Sequence, residues 1–221
     1  MNVMRSFLCL LVLVAATVQA ADGWSIARDE DGIRIYTRQS PGHALKEQRG
    51  EMVIHATPAA LVALIMDVAA CGEWVDRCQK SELLSAPGQL PVRVHTVIRL
   101  PWPFASRDVV FDAGIRRHVD SGVTEITVHD VDGGVALNSD KVRMPELAGR
   151  WRFTPLLDDR VRVEYEVRAD PGGYLPVWVA NMAAVGAAYR TLVRMRNLVQ
   201  EPRYRSAPAW PLPGSRDSSA H

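Results

Sequence analysis

Residues 161–168 leave the chain that contains them little freedom. Val161, Val163, Tyr165 and Val167 alternate with Arg162, Glu164, Glu166 and Arg168. Successive strand residues point to opposite faces, so this period of two makes one apolar face and one charged face. Such a strand belongs in an antiparallel sheet with one side on a core and the other in water. The pattern recurs. Ile33, Ile35 and Thr37 oppose Arg34, Tyr36 and Arg38. Val92, Val94, Thr96, Ile98 and Leu100 oppose Arg93, His95 and Arg99, and Val109, Phe111, Ala113 and Ile115 oppose Asp108, Asp112 and Arg116.

Turn signals place further strands at residues 45–55, 123–131 and 149–156. They include Asp31-Gly32, Pro41-Gly42 and Asp158-Asp159. Thr57 followed by Pro58 reads as an N-cap with proline at the first helical position. Leu61, Val62, Leu64, Ile65 and Val68 continue it as a short amphipathic helix, and residues 73–84 read as irregular. Residues 132–147, with Gly133-Gly134, read as a long mobile loop. A long helix is expected from residue 175 or 176 to about 199, with Trp178, Met182, Val185, Tyr189 and Leu192 on one stripe. Ala183, Ala184, Gly186, Ala187 and Ala188 make the same helix thin, which suits either close packing on a sheet or room for a ligand.

The ends read differently from this body. Arg5 precedes an apolar or small run from Phe7 to Val18, and Val18-Gln19-Ala20 is a small-x-small cleavage signal. Residues 1–20 are therefore expected to be a secretory signal peptide, cut after Ala20, with a periplasmic or secreted product. The run of about 12 residues is short of the ~20 that span a bilayer. Residues 202–221, rich in proline and serine after Pro202, read as a disordered tail. That leaves 21–201 as one domain.

Loss of Arg5 leaves 25 basic against 25 acidic residues. A balanced chain carries no electrostatic footprint for nucleic acid. Cys71 and Cys78 survive cleavage, and an even number of cysteines in an oxidising compartment points to a disulfide. Two helical turns separate them, so the segment must bend to let them meet. No close-spaced metal motif, phosphate loop, dinucleotide fingerprint or nucleophile elbow is present, so neither metal nor cofactor is expected.

The stretch LPWPFASRDVV, residues 100–110, interrupts the sheet with Pro101, Trp102, Pro103 and Phe104 and then sets two charges side by side. The prolines remove donors and stiffen the link. Trp102 and Phe104 suit either a cap on a cavity mouth or ordinary packing. Arg107 and Asp108 must point to opposite faces, so each needs its own partner. The expectation is that they tie this corner to neighbouring strands or to the terminal helix; the alternative is contact with a polar headgroup.

The order of elements and several motifs resemble the START domains, the steroidogenic-acute-regulatory-protein-related lipid-transfer family, in a bacterial form. The residues that carry the resemblance are Trp24, Asp31-Gly32, Glu73-Trp74, Leu100-Pro101-Trp102-Pro103, Ser106-Arg107-Asp108, Gly149-Arg150-Trp151 and the stretch DPGGYLPVW at 170–178. The resemblance implies an α+β helix-grip (START/Bet v 1-like) fold, a curved antiparallel sheet wrapped around a long C-terminal helix that roofs an apolar cavity. It implies a lipid or other hydrophobic ligand, carried through the periplasm or envelope, with transient membrane contact, by a monomer that is not an enzyme. Gates are expected at residues 132–147 and at Gly172-Gly173. Candidate ligand contacts are Trp102, Phe104, Val109, Phe111, Trp151, Phe153, Tyr165, Trp178, Met182 and Tyr189. Ala113 stands where sterol-binding members would carry a basic partner, so the resemblance leaves sterol specificity open. A cyclase- or aromatase-like enzyme is the second reading, with His95, Asp112 or Tyr165 as acid or base, and a non-catalytic accessory protein the third.

Overall fold

The structure, a computed structural model, describes residues 23–86 and 88–208. The signal-peptide reading falls on residues outside these. Strands Ser25–Glu30 (β1), Ile33–Gln39 (β2) and Lys46–His55 (β3) form the opening meander. Helix α1, Pro58–Met66, follows, then a 3-10 turn at Val68–Ala70 and a single helical turn, Cys71–Trp74 (α2). The strands resume as Cys78–Leu83 (β4), Val92–Ile98 (β5), Ser106–Arg117 (β6), Thr124–Asp130 (β7), Lys141–Arg143 (β8), Glu146–Pro155 (β9) and Arg160–Asp170 (β10). Helices Val177–Leu198 (α3) and Pro202–Arg205 (α4) close the described chain.

All ten strands belong to one sheet, in the order β1-β2-β3-β10-β9-β7-β6-β5-β4, with β8 beside β6. The neighbours along that order are antiparallel; β8 runs parallel to β6, with Arg107 opposite Val142. The register puts the apolar sets on one face. Met52 opposes Ile33 and Val163, Val163 opposes Phe153, and Trp151 lies between Tyr165 and Ile126. Thr57 caps α1 as the sequence predicts, its hydroxyl accepting from the Ala60 amide at 3.1 Å.

Helix α3 lies against β2 and β3 on one flank and α2 on the other. Its seat on the sheet is made by a missing side chain. A Cβ at Gly50 would stand 2.6 Å from Leu192 Cδ1, so glycine lets the helix approach β3 closely. Below this level the interior is solid. Ile33, Phe153, Val163, Leu61, Leu64, Leu192, Met195 and Val199 are all fully buried. The outer face is a lattice of alternating charges. Arg49 reaches Glu51 and Glu164, Arg150 reaches Glu166, and Arg152 reaches Glu125.

Three expectations need correction. Residues 132–147 are not wholly loop: β8 fills the slot beside β6 past the end of β7, and β9 starts at Glu146. Residues 73–84 are not wholly irregular, because α2 and β4 occupy most of them. The tail reading fails for its first residues, which form α4. Tyr204 there is 3% exposed, and its hydroxyl donates to Asp67 at 2.9 Å. The Arg203 guanidinium, bonded to Glu73, adds a second tie between this short turn and the domain.

Candidate functional site

The ends of β5 and β10, the starts of β6 and β9, and the N-terminus of α3 share one rim of the sheet. Arg107 knits that rim together. It sits on the inner face, three residues after Phe104. Its guanidinium donates to the carbonyls of Pro171 (3.0 Å), Gly172 (2.9 Å) and Ala105 (2.5 Å). The burial that makes those carbonyls its partners also lowers its pKa. Asp108, on the opposite face, accepts from Arg143 at 2.8 Å and lies 3.0 Å from His95 Nε2. Burial alone would raise the Asp108 pKa, but hydrogen bonds from Arg143 and His95, with their charges, hold it low. The two adjacent charges thus have separate structural partners, as the period of two requires.

The second tie on α3 comes from the disulfide segment. Cys71 and Cys78 are bonded, with Cα atoms 5.9 Å apart. The chain bends after Trp74 to bring them together. Within this loop Asp76 faces α3. Its carboxylate accepts from Arg190 at 2.9 and 2.8 Å, and its amide donates to Thr191 Oγ1 at 3.0 Å. On the other flank the Tyr189 hydroxyl donates to Asp31 at 2.7 Å, with Arg28 over its ring.

Between the rim and the solid half lies the candidate site. Phe111, Ile115, Val128, Tyr165 and Val167 point to the concave face yet keep accessible surface. Tyr165 is the most informative of them. Protein surrounds it closely enough that desolvation pushes its phenol pKa far up, and yet its side chain is only half-buried. At the rim a hollow of about 220 Å³ is lined by His43, Leu45, Glu146, Ala169, Gly172 and Leu175, among others. By itself it is smaller than the ~300–1,000 Å³ of typical ligand pockets.

The predicted contacts divide into three groups. Tyr165, Phe111 and Trp151 lie on the concave face, with Trp151 7% exposed and stacked on Tyr165 at 4.2 Å. Val109 and Phe153 are buried in packing, at 3% and 0% exposure, and Tyr189 braces the helix on β1 and β2. Trp102, Trp178 and Met182 do not line the concave face, at 92%, 69% and 64% exposure, and Phe104 is half-buried. Trp102 sits on a proline-bound loop with no core beneath it. Trp178 and Met182 lie on the outward side of the start of α3, where Ala180 is buried and the Asn181 side chain accepts from the Lys46 amide at 2.9 Å. Tyr174 beside them is fully exposed. Of the acid–base candidates, His95 and Asp112 are on the outer face, paired with Asp108 and Arg93; only Tyr165 is inside. Among the described residues no group of three His, Cys, Asp or Glu could hold a metal ion.

Sequence reasoning missed the role of Trp74. It is 5% exposed, its ring meets Trp151 edge-on at 5.9 Å, and its indole nitrogen has no hydrogen-bond partner. The one available signal was an aromatic residue within a short loop closed by two cysteines.

A curved antiparallel sheet gripping a C-terminal helix over a partly open apolar interior defines the helix-grip class. The family described as polyketide cyclase / dehydrase and lipid transport matches residues 54–196. The chain belongs to that family. An uncharacterized protein of Pseudomonas aeruginosa is 31% identical over 203 residues, covering 90% of this chain and 100% of that one. A STAR-related lipid transfer protein fragment from Xanthomonas axonopodis is 33% identical, with a TM-score of 0.75 over 81% of this chain and 100% of that one. Human StAR-related lipid transfer protein 5 shares the fold at 19% identity, with a TM-score of 0.69 over 81% of this chain and 87% of that one.

Proposed function

We propose that the protein binds a lipid in the space between its sheet and α3 and carries it within the cell envelope, exchanging it at a membrane surface. The observation that carries the reading is the accessible apolar wall of Phe111, Ile115, Val128, Tyr165 and Val167 on a face that the sheet and helix enclose. Apolar burial gains about 0.8 kcal/mol per methylene, so a sixteen-carbon chain gains roughly 12 kcal/mol before costs. Affinity of that size needs few specific contacts, but it makes release into water very slow. Release at a membrane avoids that barrier.

The rim supplies a surface for it. Trp102, Tyr174, Trp178 and Met182 are exposed at the end where the hollow opens. Amphipathic aromatic rings favour the membrane–water interface. The Gly172-Gly173 hinge, with φ of 61° and 66°, is the segment through which α3 swings, and Arg107 holds it shut. The signal-peptide reading of residues 1–20 supports a periplasmic setting. The placement of His95 and Asp112 outside the interior favours carriage over proton-transfer chemistry.

The test is organic extraction of protein purified from a periplasmic fraction, followed by mass spectrometry, and transfer of a fluorescent phospholipid between vesicles. A stoichiometric lipid and catalysed transfer are expected. An empty protein that moves no lipid refutes carriage. A bound compound returned chemically altered refutes it in favour of an enzyme.

A further inference from the structure

Among the described residues four side chains that are charged at neutral pH are buried: Asp76, Arg107, Asp108 and Asp112. Each of the three acids has an arginine. Asp76 accepts from Arg190, Asp108 from Arg143 and Asp112 from Arg93. Arg107 has no acid among the described residues. It is 3% exposed, and every bond it makes there is to a backbone carbonyl, of Ala105, Pro171 or Gly172. A guanidinium carries five N–H donors, so two are left over from these three bonds. A buried ion without a counter-charge is costly. Two of the three carbonyls belong to the strap that leads into α3. Pro171, Gly172 and Gly173 also line the rim hollow, and Arg107 Nη2 stands 3.3 Å from where a Gly173 Cβ would be. The acids lining that hollow are already engaged. Glu146 is bonded to Arg168 and lies 3.6 Å from His43, and Asp170 accepts from the Gly172 amide at 2.8 Å. The glycines, both at positive φ, let the strap turn, and turning it lifts two carbonyls off Arg107 and opens the guanidinium to the hollow.

Resting on the proposed lipid binding, we infer that Arg107 receives the phosphate of a lipid headgroup, which takes the place of the Pro171 and Gly172 carbonyls and so releases the strap before α3. Lifting the carbonyls frees two donors beside the two spare ones, and a phosphate presents several oxygens to them. Hydrogen bonds between two ionised groups are roughly twice as strong as neutral ones, and the guanidinium fork matches phosphate geometry. The exchange of partners thus supplies the missing charge and unlocks the helix in one step. A neutral lipid gives Arg107 nothing better than the carbonyls it holds, so it leaves the strap down. A free phosphate shares the chemistry of the headgroup but has no chain to bury.

The test uses the purified full mature chain with pyrene-labelled phosphatidic acid and a pyrene-labelled diacylglycerol of the same chains, which differ only in the phosphate. The parent protein should bind the phosphatidic acid about tenfold or more tightly, the worth of one hydrogen bond to a charged group. Arg107→Gln, which keeps an N–H donor and drops the charge, should level the two affinities, and Arg107→Lys should restore part of the gap. Far-UV circular dichroism checks folding. If neither variant folds, hydrogen exchange on the parent decides. The amides of residues 170–178 should exchange faster with phosphatidic acid than without lipid, and no faster with diacylglycerol; a purely structural arginine would not move that readout. Inorganic phosphate alone should leave the exchange unchanged; an equal quickening would assign the site to a free anion and overturn the headgroup. Equal binding of the two lipids by the parent, a gap kept in full by a folded Arg107→Gln, or exchange unmoved by phosphatidic acid each overturns the inference and leaves lipid binding standing. A parent that binds neither pyrene lipid overturns both the inference and the reading beneath it.

Discussion

Replacing Asp76 with asparagine tests whether α3 is held by charge. The Asp76 side chain is 4% exposed and accepts two hydrogen bonds from Arg190, with Arg194 and Arg77 each 3.6 Å away. Breaking a buried pair by removing one partner costs about 3–5 kcal/mol. Arg190 and Arg194 are each 43% exposed and can be rehydrated, which places the expected loss lower, at about 2–3 kcal/mol. For a chain of this size that is a fall in Tm of about 4–12 °C. The pH dependence has a definite sign. Burial would raise the Asp76 pKa, but the hydrogen bonds and charges of Arg190, then Arg194 and Arg77, bring it below its ordinary value. A depressed folded pKa stabilises the protein above the unfolded value of about 3.9, and that stability is lost as pH falls through the folded value. Urea melts at pH 7 and pH 3 should therefore show a gap between parent and Asp76→Asn that narrows on acidification. A gap below about 0.5 kcal/mol at pH 7, or one undiminished at pH 3, refutes a charge clamp on the helix.

Three other perturbations bear on the same architecture. Reducing the Cys71–Cys78 bond, or replacing both cysteines with alanine, removes a short-loop constraint worth about 2.5 kcal/mol in the chain-entropy model, read as a lower urea midpoint. Phe153→Ala, at a fully buried position, should cost about 3–5 kcal/mol, and a much smaller loss would mean that the lower half is not packed solid. Trp102→Ala and Trp178→Ala should change stability by less than about 0.5 kcal/mol while weakening cosedimentation with phospholipid vesicles; unchanged sedimentation sinks the membrane role of the rim.

Much of this architecture can be read from side-chain period. The alternation in β2, β5, β6 and β10 gives the sheet and its inner face, and Thr57-Pro58 gives the start of α1. β8 escaped because the three residues Lys141–Arg143 are too few to display a period, and a parallel pairing leaves no local mark. β4, Cys78–Leu83, is an edge strand polar on both faces, so its pattern resembles a loop. The separate partners demanded by Arg107 and Asp108 follow from adjacency alone. Their identities, the Pro171 and Gly172 carbonyls and the Arg143 guanidinium, depend on contacts 64, 65 and 35 residues away in the chain. Trp102, Trp178 and Met182 were legible as large apolar residues but not as exposed ones, because period groups residues on a face and cannot tell which parts of that face the sheet covers.

The plug of Phe153, Val163, Leu192 and Met195 makes the interior a blind alley. On the proposed carriage, a guest entering at the rim meets this packing, so whichever end leads on the way in must trail on the way out. A molecule drawn from one leaflet would then be handed to the next with its polarity along the path reversed in time but not in space. Such a carrier would keep a built-in record of which way its cargo had been facing.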